Sequence, residues 1–231
     1  MVNPILVALD FPTGDQALSV AGPLVPLVGG FKVGLELLTG EGPDIIRKVG
    51  KLGRPVFADA KLHDIPNTVH GAARQLGKAG ARWVTIHGSG GREMIEAAVS
   101  GLADGGDAAG VLVVTVLTSL DEAQLRETGV DRGLESQVVA ITQLALDGGA
   151  EGIVCAVPEA RAAKDAAPSL QVVTPGIRGA DASPDDQKRV ASISQALAAG
   201  ADMVVVGRAI TGASDPVTAA RTLAAEAGWS V

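Results

Sequence analysis

The chain has 231 residues, 47% hydrophobic and 19% charged, with 19 Lys and Arg against 26 Asp and Glu for a formal charge of −7. That mixture suits a packed globule and excludes a disordered, solvating chain, and without clusters of basic and aromatic residues it argues against nucleic acid as a partner. No apolar run approaches the ~18 to 20 residues that cross a bilayer, no basic leader opens the chain, and Cys155 stands as the single cysteine, so no intrachain disulfide can form and a cytoplasmic setting without a membrane is expected.

Short runs rich in Val and Ile recur along the chain, separated by Ala- and Leu-rich stretches with helical spacing. They predict strands at Ile5–Asp10, Gly30–Gly34, Pro55–Lys61, Trp83–Gly88, Gly110–Leu117, Gly152–Val157, Gln171–Gly176 and Ala201–Gly207. Eight strands that each feed a helix close most simply into an α/β fold of the (β/α)8 barrel type, within the roughly 200 to 250 residues such a single domain needs. Thr13 with Gln16, Ser119 with Glu122, and Ser192 with Gln195 match capping boxes at the turns from strand to helix. The longest stretch without a clear element runs from Ile177 to about Ala191, a length that in compact domains is often a functional lid.

Barrels place their chemistry at the C-terminal ends of strands, and charge gathers there. The third strand ends Asp59-Ala60-Lys61, and the period of two puts both charges on one side, in line with Phe57. Asp10 closes the first strand, Lys32 lies in the second, and Asp64 follows the third. Burying several ions costs several kcal/mol each, so such a convergence is poorly explained by stability alone. His63, His70 and His87 fall on separate elements and predict no metal site; His87 shares the inward row of Trp83 and Thr85, which suits packing or support of a neighbour. Cys155 reads as a small buried hydrophobe. Phosphate in barrels commonly sits at the loops after the seventh and eighth strands, where Gly207-Arg208 offers close backbone approach and a guanidinium fork.

The run Asp59-Ala60-Lys61-Leu62-His63-Asp64-Ile65-Pro66-Asn67-Thr68 resembles the D-x-K-x-x-D-I-P-x-T signature of the orotidine 5'-phosphate decarboxylase family. Supporting stretches stand in the family's order: Ala8-Leu9-Asp10, Phe31-Lys32-Val33-Gly34, Val116-Leu117-Thr118-Ser119, Thr174-Pro175-Gly176-Ile177-Arg178, Asp186-Gln187-Lys188-Arg189-Val190 and Val206-Gly207-Arg208. The resemblance implies loss of carbon dioxide from orotidine 5'-monophosphate to give UMP, the last step of de novo pyrimidine nucleotide synthesis, with no metal and no organic cofactor. It implies that Lys61 lies beside C6 and protonates it, with Asp59 near the departing carboxylate and Asp59, Lys32 and Asp64 orienting the ammonium. It further implies that Asp10 and Lys32 meet the ribose hydroxyls, that Arg178, Gln187 and Arg208 grip the phosphate, and that Ile65, Pro175, Gly207, Thr118 and Ser119 line the substrate site. Ser119 fits a helix cap equally well. Asp64 and Thr68 are expected to come from a partner chain in a homodimer. Two alternatives remain: a magnesium-dependent enzyme like 3-keto-L-gulonate 6-phosphate decarboxylase, against which Lys32 stands where an anionic metal ligand is needed, and a non-catalytic barrel that binds phosphate ligands.

Overall fold

The computed structural model describes residues 3–106, 109–177 and 191–229. Its elements run in chain order β1 (Ile5–Ala8), α1 (Gly14–Leu24), β2 (Gly30–Val33), α2 (Leu35–Glu41), α3 (Asp44–Gly50), β3 (Val56–Leu62), α4 (Pro66–Lys78), β4 (Trp83–His87) and α5 (Arg92–Ala103). They continue with β5 (Gly110–Val114), α6 (Glu122–Glu127), α7 (Leu134–Asp147), β6 (Gly152–Val154), α8 (Val157–Ala166), β7 (Gln171–Thr174), α9 (Ile193–Ala198), β8 (Met203–Val206), α10 (Arg208–Thr211) and α11 (Pro216–Glu226). Each strand pairs in parallel with the next, and β8 pairs with β1, closing the eight-stranded barrel that the sequence predicts.

Alternation along the strands divides the apolar side chains into two cores. Ile5, Val7, Phe31, Val33, Val84 and Ile86 face the surrounding helices, within a large buried layer. Leu6, Ala8, Phe57, Trp83, Leu112, Val173 and Val205 face inward and fill the barrel. Both faces being covered explains the near-continuous Val and Ile runs. By the same alternation Lys32 and Thr85 belong to inward rows, and both are buried.

Several predicted strands prove too long. β1 ends at Ala8 rather than Asp10, β5 at Val114 rather than Leu117, and β7 at Thr174 rather than Gly176; Val157, predicted as strand, opens α8. The apolar pattern carries on past the strand ends, with Leu9 and Val116 still buried, and just beyond β5 the Thr115 N–H and hydroxyl both donate to the Val154 carbonyl, at 3.1 and 2.8 Å. Thr13 caps α1 through the Gln16 backbone N–H, at 3.4 Å, making only the first half of a capping box, whereas Ser192 and Gln195 make the whole box. The box predicted for Ser119 and Glu122 does not form. Asp121 caps α6 instead, paired reciprocally with Gln124, since the chain makes a further turn at Thr118 and Ser119 before the helix begins.

Candidate active site

The charged residues meet at the C-terminal mouth of the barrel, and the backbone of β3 does more than alternate to bring them there. Between Ala58 and Leu62 on β3 the partner strand advances only from Val84 to Ile86, so β3 carries extra residues at its end. Lys61 sits in that irregularity with φ of 48°, the one non-glycine residue at positive φ among the described residues. An L residue adopts this region at a free-energy cost and persists there when its surroundings hold it. The expectation that simple period-two pleating aligns Asp59 with Lys61 is therefore corrected: the two side chains converge, but through a distorted strand end.

The side chains form an alternating row. Lys32 Nζ lies 3.0 Å from Asp10 Oδ1 and 3.5 Å from Asp59 Oδ2, and Lys61 Nζ lies 2.7 Å from the same Asp59 oxygen. One carboxylate oxygen thus faces two ammonium groups. Burial opposes the charge of Asp59, yet the Lys32 and Lys61 ammoniums, with hydrogen bonds from Lys61 and Thr85, outweigh it and hold the carboxyl below the usual aspartate range. Lys32 and Asp59 are nearly enclosed, while the Lys61 side chain keeps 30% of its surface open toward the mouth. Gly34 makes room for the row: a Cβ there would stand 2.7 Å from Asp10 Oδ1 and 2.8 Å from Lys32 Nζ.

Two histidines border this network. The rings of His63 and His87 lie 5.5 Å apart, and burial first, then the His63 and Lys61 charges, lower the pKa of His87, with Asp59 opposing. His87 therefore stays a neutral neighbour of the lysine at neutral pH.

The remaining candidates fall into three groups. Asp64, Ile65 and Thr68 lie exposed on the loop into α4 and its first turn; Asp64 accepts only the Ile65 N–H, at 2.7 Å, and joins no ion pair among the described residues. Ile65 is 68% exposed, unusual for its type. Thr118 and Pro175 are half-buried and Ser119 exposed, in the loops after β5 and β7. Gly207 and Arg208 follow β8, with Gly207 as the N-cap of α10 and Arg208 exposed as its first residue. Arg178 and Gln187, and the lid expected around them, lie outside the described residues. Sequence reasoning gave no role to Thr85, which hydrogen-bonds both Asp59 and Lys61; its place in the inward row of the strand beside β3 was the available signal.

A family model described as "Orotidine 5'-phosphate decarboxylase / HUMPS family" matches residues 3–223. The chain is 50% identical over 222 residues to an orotidine 5'-phosphate decarboxylase of Anaeromyxobacter sp. (strain K), covering 96% of each. It is 45% identical over 234 residues to one from Paramagnetospirillum magneticum, covering 99% of this chain and 100% of that one. The crystal structure of orotidine 5'-phosphate decarboxylase from Lactobacillus acidophilus superposes with a TM-score of 0.86 at 34% identity, covering 97% of this chain and 99% of that one.

Proposed function

The chain belongs to the orotidine 5'-phosphate decarboxylase family, and from that premise we propose that it converts orotidine 5'-monophosphate to UMP with its own side chains as the only catalysts. The observation that carries this reading is the row Asp10–Lys32–Asp59–Lys61 in the barrel mouth, with the Lys61 ammonium at its open end.

Loss of carbon dioxide from C6 leaves an electron pair in the plane of the pyrimidine ring, where the π system cannot take it up. The site must then supply about 20 kcal/mol of barrier reduction, near the upper range for enzymes. Fixed charge in a partly enclosed mouth is the available means. Lys61 stabilises the developing carbanion and gives it a proton, and Lys32 and Asp59 hold that ammonium in place before reaction, so no reorganisation is needed at the moment of bond cleavage. The Asp59 carboxylate stands near the substrate carboxylate, and relief of their repulsion on departure adds to the driving force. Asp10 and Lys32 meet the ribose hydroxyls; Ile65, Thr118, Ser119, Pro175 and Gly207 line the nucleotide, and Arg208, with Arg178 and Gln187, binds the phosphate remote from C6, where its binding energy can be applied to the chemistry.

The site is shared between two copies of the chain. Asp64 and Thr68 are exposed, Asp64 joins no ion pair among the described residues, and the exposure of Ile65 between them suits a partner surface. In a two-fold homodimer each copy would present this loop to the other's mouth. The ammonium of Lys32, turned inward where a divalent ion would require an anion, favours metal-free chemistry over the magnesium-dependent alternative. The buried Cys155 suits a reducing compartment, and a cytoplasmic location belongs to the same proposal; separately, no helix among the described residues is long and apolar enough to cross a membrane.

The test is direct. Purified protein is mixed with orotidine 5'-monophosphate, and loss of its absorbance and formation of UMP are followed with and without a chelator. Turnover that ignores the chelator is expected; activity lost on chelation and restored by magnesium, or no UMP at all, overturns the proposal.

A further inference from the structure

One uncharged side chain hydrogen-bonds both residues at the open end of the charged row, Asp59 and Lys61. Thr85 lies midway along β4 and is completely buried. Its Oγ1 is 2.9 Å from the Lys61 backbone nitrogen and 2.9 Å from Asp59 Oδ1. A hydroxyl carries one proton and two lone pairs. The Lys61 N–H can only donate, so the threonine oxygen accepts there, and its single proton goes to Asp59. Both directions are set by chemistry alone.

Two consequences follow for the network. Asp59 must offer a lone pair at Oδ1, a demand that its ionised form meets, and this anchoring turns Oδ2 toward Lys61 Nζ at 2.7 Å and Lys32 Nζ at 3.5 Å. The other bond acts on the backbone. Lys61 stands at φ of 48°, where the β3–β4 ladder loses register, and the Thr85 hydroxyl receives the N–H that the broken ladder leaves over.

We propose that Thr85 is a positioning residue for decarboxylation: it clamps the left-handed Lys61 backbone and the Asp59 carboxylate to one oxygen atom, and so sets where the ammonium stands. Thr85 reaches no solvent and acts through these two residues rather than on substrate. The proposal rests on the reading that Asp59 and Lys61 carry the chemistry, and the experiment keeps the two apart.

Thr85→Val keeps the shape and removes the hydroxyl; Thr85→Ser keeps the hydroxyl and removes the methyl. With the hydroxyl gone, kcat should fall about 10- to 100-fold, the worth of a buried hydrogen bond to a charged group, while KM moves less than about threefold. The acid limb of the kcat profile should shift to higher pH, because Asp59 loses a bond that favours its ionised form. Thr85→Ser should recover most of both. A role in packing alone predicts the reverse order, with the serine variant damaged and the valine variant intact. A valine variant within about twofold of wild type in kcat, or a serine variant no better than valine, overturns the proposal. Lys61→Ala is measured beside them. If it keeps wild-type turnover, the reading of the network itself falls; if it is inactive while Thr85→Val is unharmed, only the role of Thr85 falls. Should the valine variant not fold, hydrogen exchange on the wild-type protein decides together with the serine variant: the Lys61 amide should be as protected as the ladder amides of β3, and fast exchange there rejects the clamp.

Discussion

Both ends of the barrel carry ion clusters, built on opposite plans. At the floor, Arg82 Nη1 and Nη2 donate to the two oxygens of Glu151 at 2.7 and 2.6 Å, Trp83 Nε1 adds a bond to Oε1 at 3.0 Å, and the guanidinium lies 4.7 Å from the Trp83 ring centroid. Gly110 permits the closure, since a Cβ there would meet Glu151 Oε2 at 1.8 Å. Each charge is used up by a partner within the cluster. At the mouth two ammoniums share one oxygen of Asp59, Lys61 holds a left-handed backbone, and its ammonium faces the opening. A bidentate fork closed on itself gains geometry and stability; a row with an open cationic end keeps its field available for a ligand. The difference separates a cluster closed on itself from one able to act on a ligand, although both pair a basic with an acidic side chain.

Substitution at Lys61 breaks the comparison most severely. If the mouth were only another closed cluster, Lys61→Ala would lower the melting temperature and spare turnover. We expect instead that kcat falls by more than ~10³-fold, because cation and proton donor vanish together, while calorimetry still detects UMP binding. Asp64→Asn should also be inactive as a homodimer. When the two inactive proteins exchange subunits, one site of each heterodimer collects both defects and the other is whole, so activity should return toward one native site per heterodimer. Confirmed exchange without recovery would mean that Asp64 serves its own chain.

Arg208→Ala comes next. It should weaken kcat/KM for the phosphorylated substrate by about 2 to 4 kcal/mol, the worth of a charge-assisted phosphate contact. Orotidine, lacking the phosphate, should be turned over as before; equal loss for both substrates would assign Arg208 to folding or to the chemical step.

The barrel was readable because its strands, covered on both faces, leave eight runs rich in Val and Ile, and the meeting of Asp59 with Lys61 was readable because the two stand two residues apart at a strand end. What escaped depends on contacts between distant segments. Thr85 gains meaning only from the register of β4 against a distorted β3, whereas the cap of α6 is a local choice between two matching boxes, Ser119 with Glu122 and Asp121 with Gln124, decided by the turn at Thr118 and Ser119. Glu151 carries no local signal either, and acquires its partners Arg82 and Trp83 only through the fold. The signal for strand ends fails for a different reason: apolar residues such as Leu9 and Val116 stay buried in the core beyond the end of their strands.

Glu151→Gln tests the floor. Burial opposes ionisation of Glu151, but the Arg82 and Trp83 hydrogen bonds prevail and lower its pKa. Losing the fork should cost about 1 to 2 kcal/mol, or roughly 2 to 8 °C in melting temperature for a chain of this size. Turnover per folded molecule at a permissive temperature should match wild type. A tenfold loss of kcat without thermal destabilisation would show that the floor is coupled to the chemistry and that the contrast between the two ends is false.

The smallest effect expected is a change in slope, and it returns to Asp59. Its folded pKa is depressed, so the unfolded chain binds the Asp59 proton more readily than the native protein does. By linkage, the stability this contributes is complete above the unfolded value near ~3.9 and is lost as pH falls through the lower folded value. Asp59→Asn removes that titration. Its absolute stability will differ from wild type at every pH, because Lys32 and Lys61 lose the carboxylate they share, so the informative quantity is the pH dependence rather than the height of the curve. Urea midpoints measured from about pH 7 down to pH 2 should run parallel for the two proteins above roughly pH 5, and the wild type should then fall more steeply. Two curves parallel throughout would mean that Asp59 titrates alike in the folded and unfolded chains, and that the pull of the two ammoniums merely balances the cost of its burial.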